Sequence, residues 1–116
     1  MGYPKEQVEE LKRYCQKLNA VTEDGVTYLY LEGLRLPTRC QPVECDALLC
    51  PEPKDGYPSR LYFSSQIQGA YTRNWNVSNA RIVERNWFAF SWRVEMANPT
   101  LPQLLIAHLS GFAKER

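Results

Sequence analysis

The chain has 116 residues, 44% of them hydrophobic and 23% charged, with a formal net charge of +1. A single domain of this size buries about two-thirds of its unfolded surface, so it can build a core without a metal or disulfide. With a net charge of +1, nothing marks the whole chain as a polyanion binder, although a local basic patch stays open. No stretch reaches the roughly 20 apolar residues of a membrane span. The charged start MGYPKEQVEE lacks the apolar run of a signal peptide, so a cytoplasmic location is expected.

Residues 4–19 are predicted to form a helix. Pro4 suits a first-turn position, and Glu6, Glu9 and Glu10 favour the positive N-terminal end. Val8, Leu11, Cys15 and Leu18 share one helical stripe, and Asn19 to Gly25 would then end the helix and turn. VTYLYLEGL (26–34) is predicted to be a strand, with Tyr28 and Tyr30 on one face and Leu29 and Leu31 on the other. LPTRCQP (36–42) reads as a connection, VECDALLC (43–50) as a second strand and PEPKDGYP (51–58) as a loop. RLYFSSQI (60–67) is the third strand, followed by a long polar loop over 68–80 and a fourth extended segment over 80–95. Thr100 and Gln103 form a capping box for a final helix, whose apolar face carries Leu101, Leu104, Leu105, His108, Leu109 and Phe112. The expected architecture is α+β: an N-terminal helix, an antiparallel four-stranded meander and a C-terminal helix, all in one domain over 1–116.

The chemistry-bearing residues leave several readings open. Cys40, Cys45 and Cys50 are spaced C-x4-C-x4-C, wider than the usual zinc pairs. On a strand, Cys45 and Cys50 point to opposite faces, which favours separate thiols over a metal or redox site. His108 is the only histidine. A dyad with Cys15 or a strand cysteine can be drawn, against the plainer reading of a boundary residue with one hydrogen bond. Asp46 interrupts an apolar strand and is expected to face outward or to pair with Arg35 or Arg39. Residues 71–93 mix Tyr71, Trp75, Trp87, Phe88, Phe90 and Trp92 with Arg73, Arg81, Arg85 and Arg93. Such interleaving suits a protein interface or single-stranded nucleic acid, while the plainer reading is that Trp87, Phe90 or Trp92 fill the core between sheet and final helix. No phosphate loop or metal motif occurs, and no cofactor is expected.

The order GVTYLYLEGLRLP, CDALLCPEPKDGYP, NWFAFSWR and a final helix, over roughly residues 25–112, resembles the small prokaryotic ubiquitin-conjugating-enzyme-like (UBC-like) proteins. The resemblance implies a UBC-like fold and a place in a bacterial ubiquitin-like modification system. It also implies a thioester-carrying cysteine downstream of Tyr57-Pro58. No cysteine follows Cys50, and the family's His-Pro-Asn signature is replaced by Gln68-Gly69-Ala70. Serine or lysine in that place would give an ester or amide that is not passed on. The expectation is a noncatalytic or atypical protein that binds a modifier or its activating enzyme. Tyr57, Tyr71, Arg73 and Trp75 would form the partner surface, with no catalytic residue assigned.

Overall fold

The computed structural model describes residues 3–68 and 74–112. Two helices, α1 (Lys5–Leu11) and α2 (Leu101–Leu109), accompany six strands: β1 (Lys17–Glu23), β2 (Val26–Arg35), β3 (Glu44–Cys50), β4 (Arg60–Phe63), β5 (Val77–Ile82) and β6 (Arg85–Ala89). The strands form one antiparallel sheet in the order β1-β2-β3-β4-β6-β5. The expected four-stranded, helix-flanked UBC-like meander is therefore overturned, because each edge carries a strand read from sequence as helix or loop. The broader α+β class fits.

The first correction concerns residues 4–19. Helix α1 stops at Leu11, and its N-cap Pro4 offers no side-chain hydrogen bond. Residues 17–23 pair with β2 from Lys17↔Glu32 to Glu23↔Val26. Between them Asp24 and Gly25 have φ of 53° and 79°. Two consecutive positive φ values match the two-residue hairpin turn that Asp-Gly favours. That turn commits the residues before it to a strand.

The second correction concerns the polar loop. Residues 77–82 form β5, joined to β6 by Val83 and Glu84 at φ 44° and 62°. A β-branched valine in the left-handed region is strained and needs outside support. Glu23 supplies it: its carboxylate accepts from the Val83 backbone N–H at 2.9 Å. The turns of the β1–β2 and β5–β6 hairpins thus meet, so the sheet curls on itself. The β5–β6 hairpin joins β4 through the pair Phe63↔Phe88.

Strand alternation sorts the core into two clusters. Leu29, Leu49 and Leu61 align across three strands, as do Leu31, Ala47 and Phe63. These side chains pack with Leu11 of α1 and with Leu101, Leu104, Leu105 and Leu109 of α2. The other face carries Tyr28, Leu48, Cys50, Tyr62 and Trp87, and the curled β6 covers it. The capping box at Thr100 is present: its side chain accepts from the Gln103 N–H, and the Gln103 side chain accepts from the Thr100 N–H at 2.9 Å.

Asp46 has a specific task at a β-bulge. The β2–β3 register shifts between Leu31 and Leu34, where Gly33 sits at φ 66°. A Cβ there would meet only the flexible Gln16 side chain, at 2.8 Å, which can swing aside, so it is the positive φ that favours glycine. Asp46 accepts from the Gly33 N–H at 2.9 Å and pairs with Arg85 at 2.7 Å. Its ionic partner is thus Arg85, 39 residues away, in place of the expected Arg35 or Arg39. Among the described residues no helix is long and apolar enough to cross a membrane.

Candidate functional site

A polar network forms where the chain enters β4. The preceding Lys54 and Tyr57 exchange two backbone hydrogen bonds at 2.9 Å around Asp55 and Gly56, whose φ values are 55° and 84°. This second Asp-Gly turn makes a tight corner out of what reads as loop. Pro58, with no N–H to donate, separates that corner from the β4 ladder. Tyr57 is thereby held beside residues 74–76 and the end of β6.

The Tyr57 hydroxyl accepts from Asn76 Nδ2 at 3.0 Å and shares a hydrogen bond with Ser91 Oγ at 3.0 Å. Asn76 Oδ1 in turn accepts from Arg60 Nη2 at 3.0 Å. The Arg60 guanidinium carbon lies 4.1 Å from the Tyr57 ring centroid, and that of Arg93 lies 5.3 Å from it. Arg93 also donates to the Gly56 carbonyl at 2.7 Å. The Ser91 hydrogen bond, then Asn76 and the Arg60 charge, draw the Tyr57 pKa below its usual value against the opposing effect of burial. The hydroxyl is thus engaged by two side chains.

Below this corner lies a buried polar layer. Ser59, Arg60 and His108 are only 2%, 2% and 4% exposed. Ser59 Oγ and His108 Nε2 share a hydrogen bond of 2.9 Å. Burial, and then the Arg60 charge, push the His108 pKa down to about 4. A serine beside a histidine has the outline of a nucleophile and base, but general-base work near neutral pH needs a pKa near 7 and access for substrate. Here both groups are sealed between β4 and α2. The partner of His108 is thus Ser59, in place of the Cys15 or strand cysteine weighed from sequence.

Two of the four thiols are buried and two partly buried. Cys50 and Cys40 are fully buried, and Cys50 donates to the Glu52 carbonyl at 3.4 Å. Burial raises the pKa of all four cysteines, that of Cys45 to about 11. Cys45 packs with the helix-side cluster and Cys50 lies in the opposite one. The sheet therefore separates them, as alternation requires. Among the described residues no three His, Cys, Asp or Glu side chains converge as a metal site.

Of the four partner-binding candidates, Tyr57 lies in the polar network, while Tyr71 and Arg73 fall outside the described residues. Trp75 packs against Phe63, Phe90 and Phe112 with centroids at 6.0, 5.2 and 6.5 Å. It is half-buried and belongs to the helix-side core more than to a free-standing anchor. Other rings of the Arg/aromatic segment are similarly engaged. Trp87 is fully buried, Phe90 is 6% exposed, and Trp92 donates to the Ala107 carbonyl at 3.1 Å. Arg60, Ser59, Asn76, Ser91 and Arg93 were not singled out for this site from the sequence. The visible signal for them was only the Tyr-Pro corner they surround. No known protein family, no curated protein and no solved structure matches the chain.

Proposed function

We propose that this chain acts by binding, without covalent transfer, and that its partner is a ubiquitin-like modifier or the enzyme that activates it. The choice of binding over catalysis is supported chiefly by the thiols: each of the four is held above its usual pKa by burial. A transfer step needs an accessible thiolate. The choice of partner rests on the order of the sequence motifs around Gly56-Tyr57-Pro58. The Tyr57 corner, with exposed Arg93 beside it, offers residue types that concentrate binding energy at interfaces.

Calorimetric titration with a ubiquitin-like protein encoded beside this chain tests the partner. Binding at tens of micromolar or tighter is expected, weakened by Tyr57→Ala. Absence of heat with both modifier and activating enzyme would remove the reading. Incubation with modifier, activating enzyme and ATP tests the chemistry. No thiol-sensitive adduct is expected on a non-reducing gel, and such an adduct lost in Cys50→Ser would overturn the noncatalytic assignment.

A further inference from the structure

We propose that Arg60 is the receiving group of a carboxylate-binding site that the Tyr57 ring covers. Arginine stays charged in any protein environment. Arg60 is 2% exposed, and its Nη1 is buried without a hydrogen-bond partner. The ion pairs among the described residues are Lys12–Glu9, Arg85–Asp46 and Arg93–Glu95, so none compensates Arg60. A buried charge without a counterion is costly, and an amide oxygen plus two ring faces offset it only in part. Nearby groups do not make up the difference. His108 is an imidazole that burial keeps neutral, and Asp55, whose carboxylate accepts from the Tyr62 hydroxyl at 2.5 Å, makes no ion pair with Arg60 among the described residues.

The surroundings specify what is missing. An acceptor at Nη1 must bring about one negative charge. A carboxylate does so and matches the planar guanidinium fork. A phosphate dianion brings more charge than the site lacks, since Arg93 is already shared with Glu95 at 3.3 Å. Tyr57 lies over the guanidinium and is latched at its hydroxyl by Ser91 and Asn76. Rotation of that ring uncovers Arg60 and releases the Ser91 hydroxyl and Asn76 amide as further donors. The site shares Tyr57 with the proposed partner surface, but small carboxylates address it without any modifier. Its failure and the failure of that reading are therefore separate results.

The test is thermal unfolding and NMR titration of the full chain at fixed ionic strength. The probes are acetate, an N-acetylated dipeptide with a free C-terminus, the same dipeptide as its amide, and inorganic phosphate. Acetate and the free acid are expected to raise Tm and shift resonances around residues 57–60, with the amide at least about tenfold weaker. A larger response to the peptide acid than to acetate assigns the source to a chain terminus, and equal responses assign it to any small carboxylate. Both keep the site. Arg60→Met is expected to fold with equal or higher Tm and to lose the response. Tyr57→Phe loosens the latch without removing Arg60, and is expected to bind at least as well as the parent chain. The proposal is overturned by no carboxylate response in both the parent chain and Tyr57→Phe. Equal responses to acid and amide, a response to phosphate as large as to carboxylate, or an unchanged response in Arg60→Met also overturn it.

Discussion

Replacing Trp87 by alanine is expected to lower the unfolding free energy by about 3–5 kcal/mol, the range for deleting a fully buried large aromatic side chain. Trp87 is 0% exposed, and its indole N–H donates to the Ile82 carbonyl at 2.9 Å. The Tyr30 ring meets it edge-on at 5.5 Å, and the Arg85 guanidinium carbon lies 5.2 Å from its ring. These contacts tie β6 to β2, across the face that no helix covers among the described residues. They matter more because β6 joins β4 through a single residue pair, Phe63↔Phe88. Urea denaturation read by far-UV circular dichroism measures the loss. A companion variant separates packing from hydrogen bonding. Trp87→Phe keeps an apolar ring but removes the indole hydrogen bond to the Ile82 carbonyl, a loss of about 0.5–1.5 kcal/mol from that bond. A loss in Trp87→Ala below that of Trp87→Phe would show that the second cluster does not depend on this residue.

The sequence shows three of the central strands well, because their alternation is strong. Leu29, Leu31, Leu49, Leu61 and Phe63 fall on the helix side, and Tyr28, Leu48, Cys50 and Tyr62 on the other. The final helix is also legible, since its cap and its apolar face agree. The two edge strands are hidden for different reasons. In residues 17–23 the same Leu18 that completes a helical stripe pairs with Leu31 in the sheet. Periodicity alone cannot choose between them, whereas Asp24-Gly25 was the decisive signal and favours a hairpin. No such signal marks the other edge. Val83-Glu84 carries neither glycine nor asparagine, and its turn depends on Glu23, 60 residues away.

The site was legible only at its corner. Gly56-Tyr57-Pro58 sits between β3 and β4, where the motif order places it. Arg60 opens a run that reads simply as strand, RLYF, and nothing local says that its charge is enclosed. That follows from Tyr57, Asn76 and α2 converging on it. The same convergence encloses Ser59 and His108, which alternation cannot pair because they belong to different layers.

That enclosure has a pH consequence of comparable size to the loss of Trp87. The His108 pKa is about 4 in the folded chain against 6.5 when unperturbed. The unfolded chain therefore binds more protons between these values, and stability must fall as pH drops through the window. The full contribution is present above pH 6.5 and is lost progressively toward about pH 4. Linkage puts the loss at about 2 kcal/mol between about pH 7 and about pH 5, approaching about 3 kcal/mol at lower pH. Attribution is clean in the upper part of the window. The chain contains one histidine, and ordinary carboxylates titrate lower. His108→Gln, which can keep a hydrogen bond to Ser59, is expected to flatten the slope between those pH values. Burial is the larger cause and the Arg60 charge the smaller, so Arg60→Met should reduce the acid loss without abolishing it. Stability independent of pH across this range in the parent chain would mean that His108 is solvated and the buried layer between β4 and α2 is open.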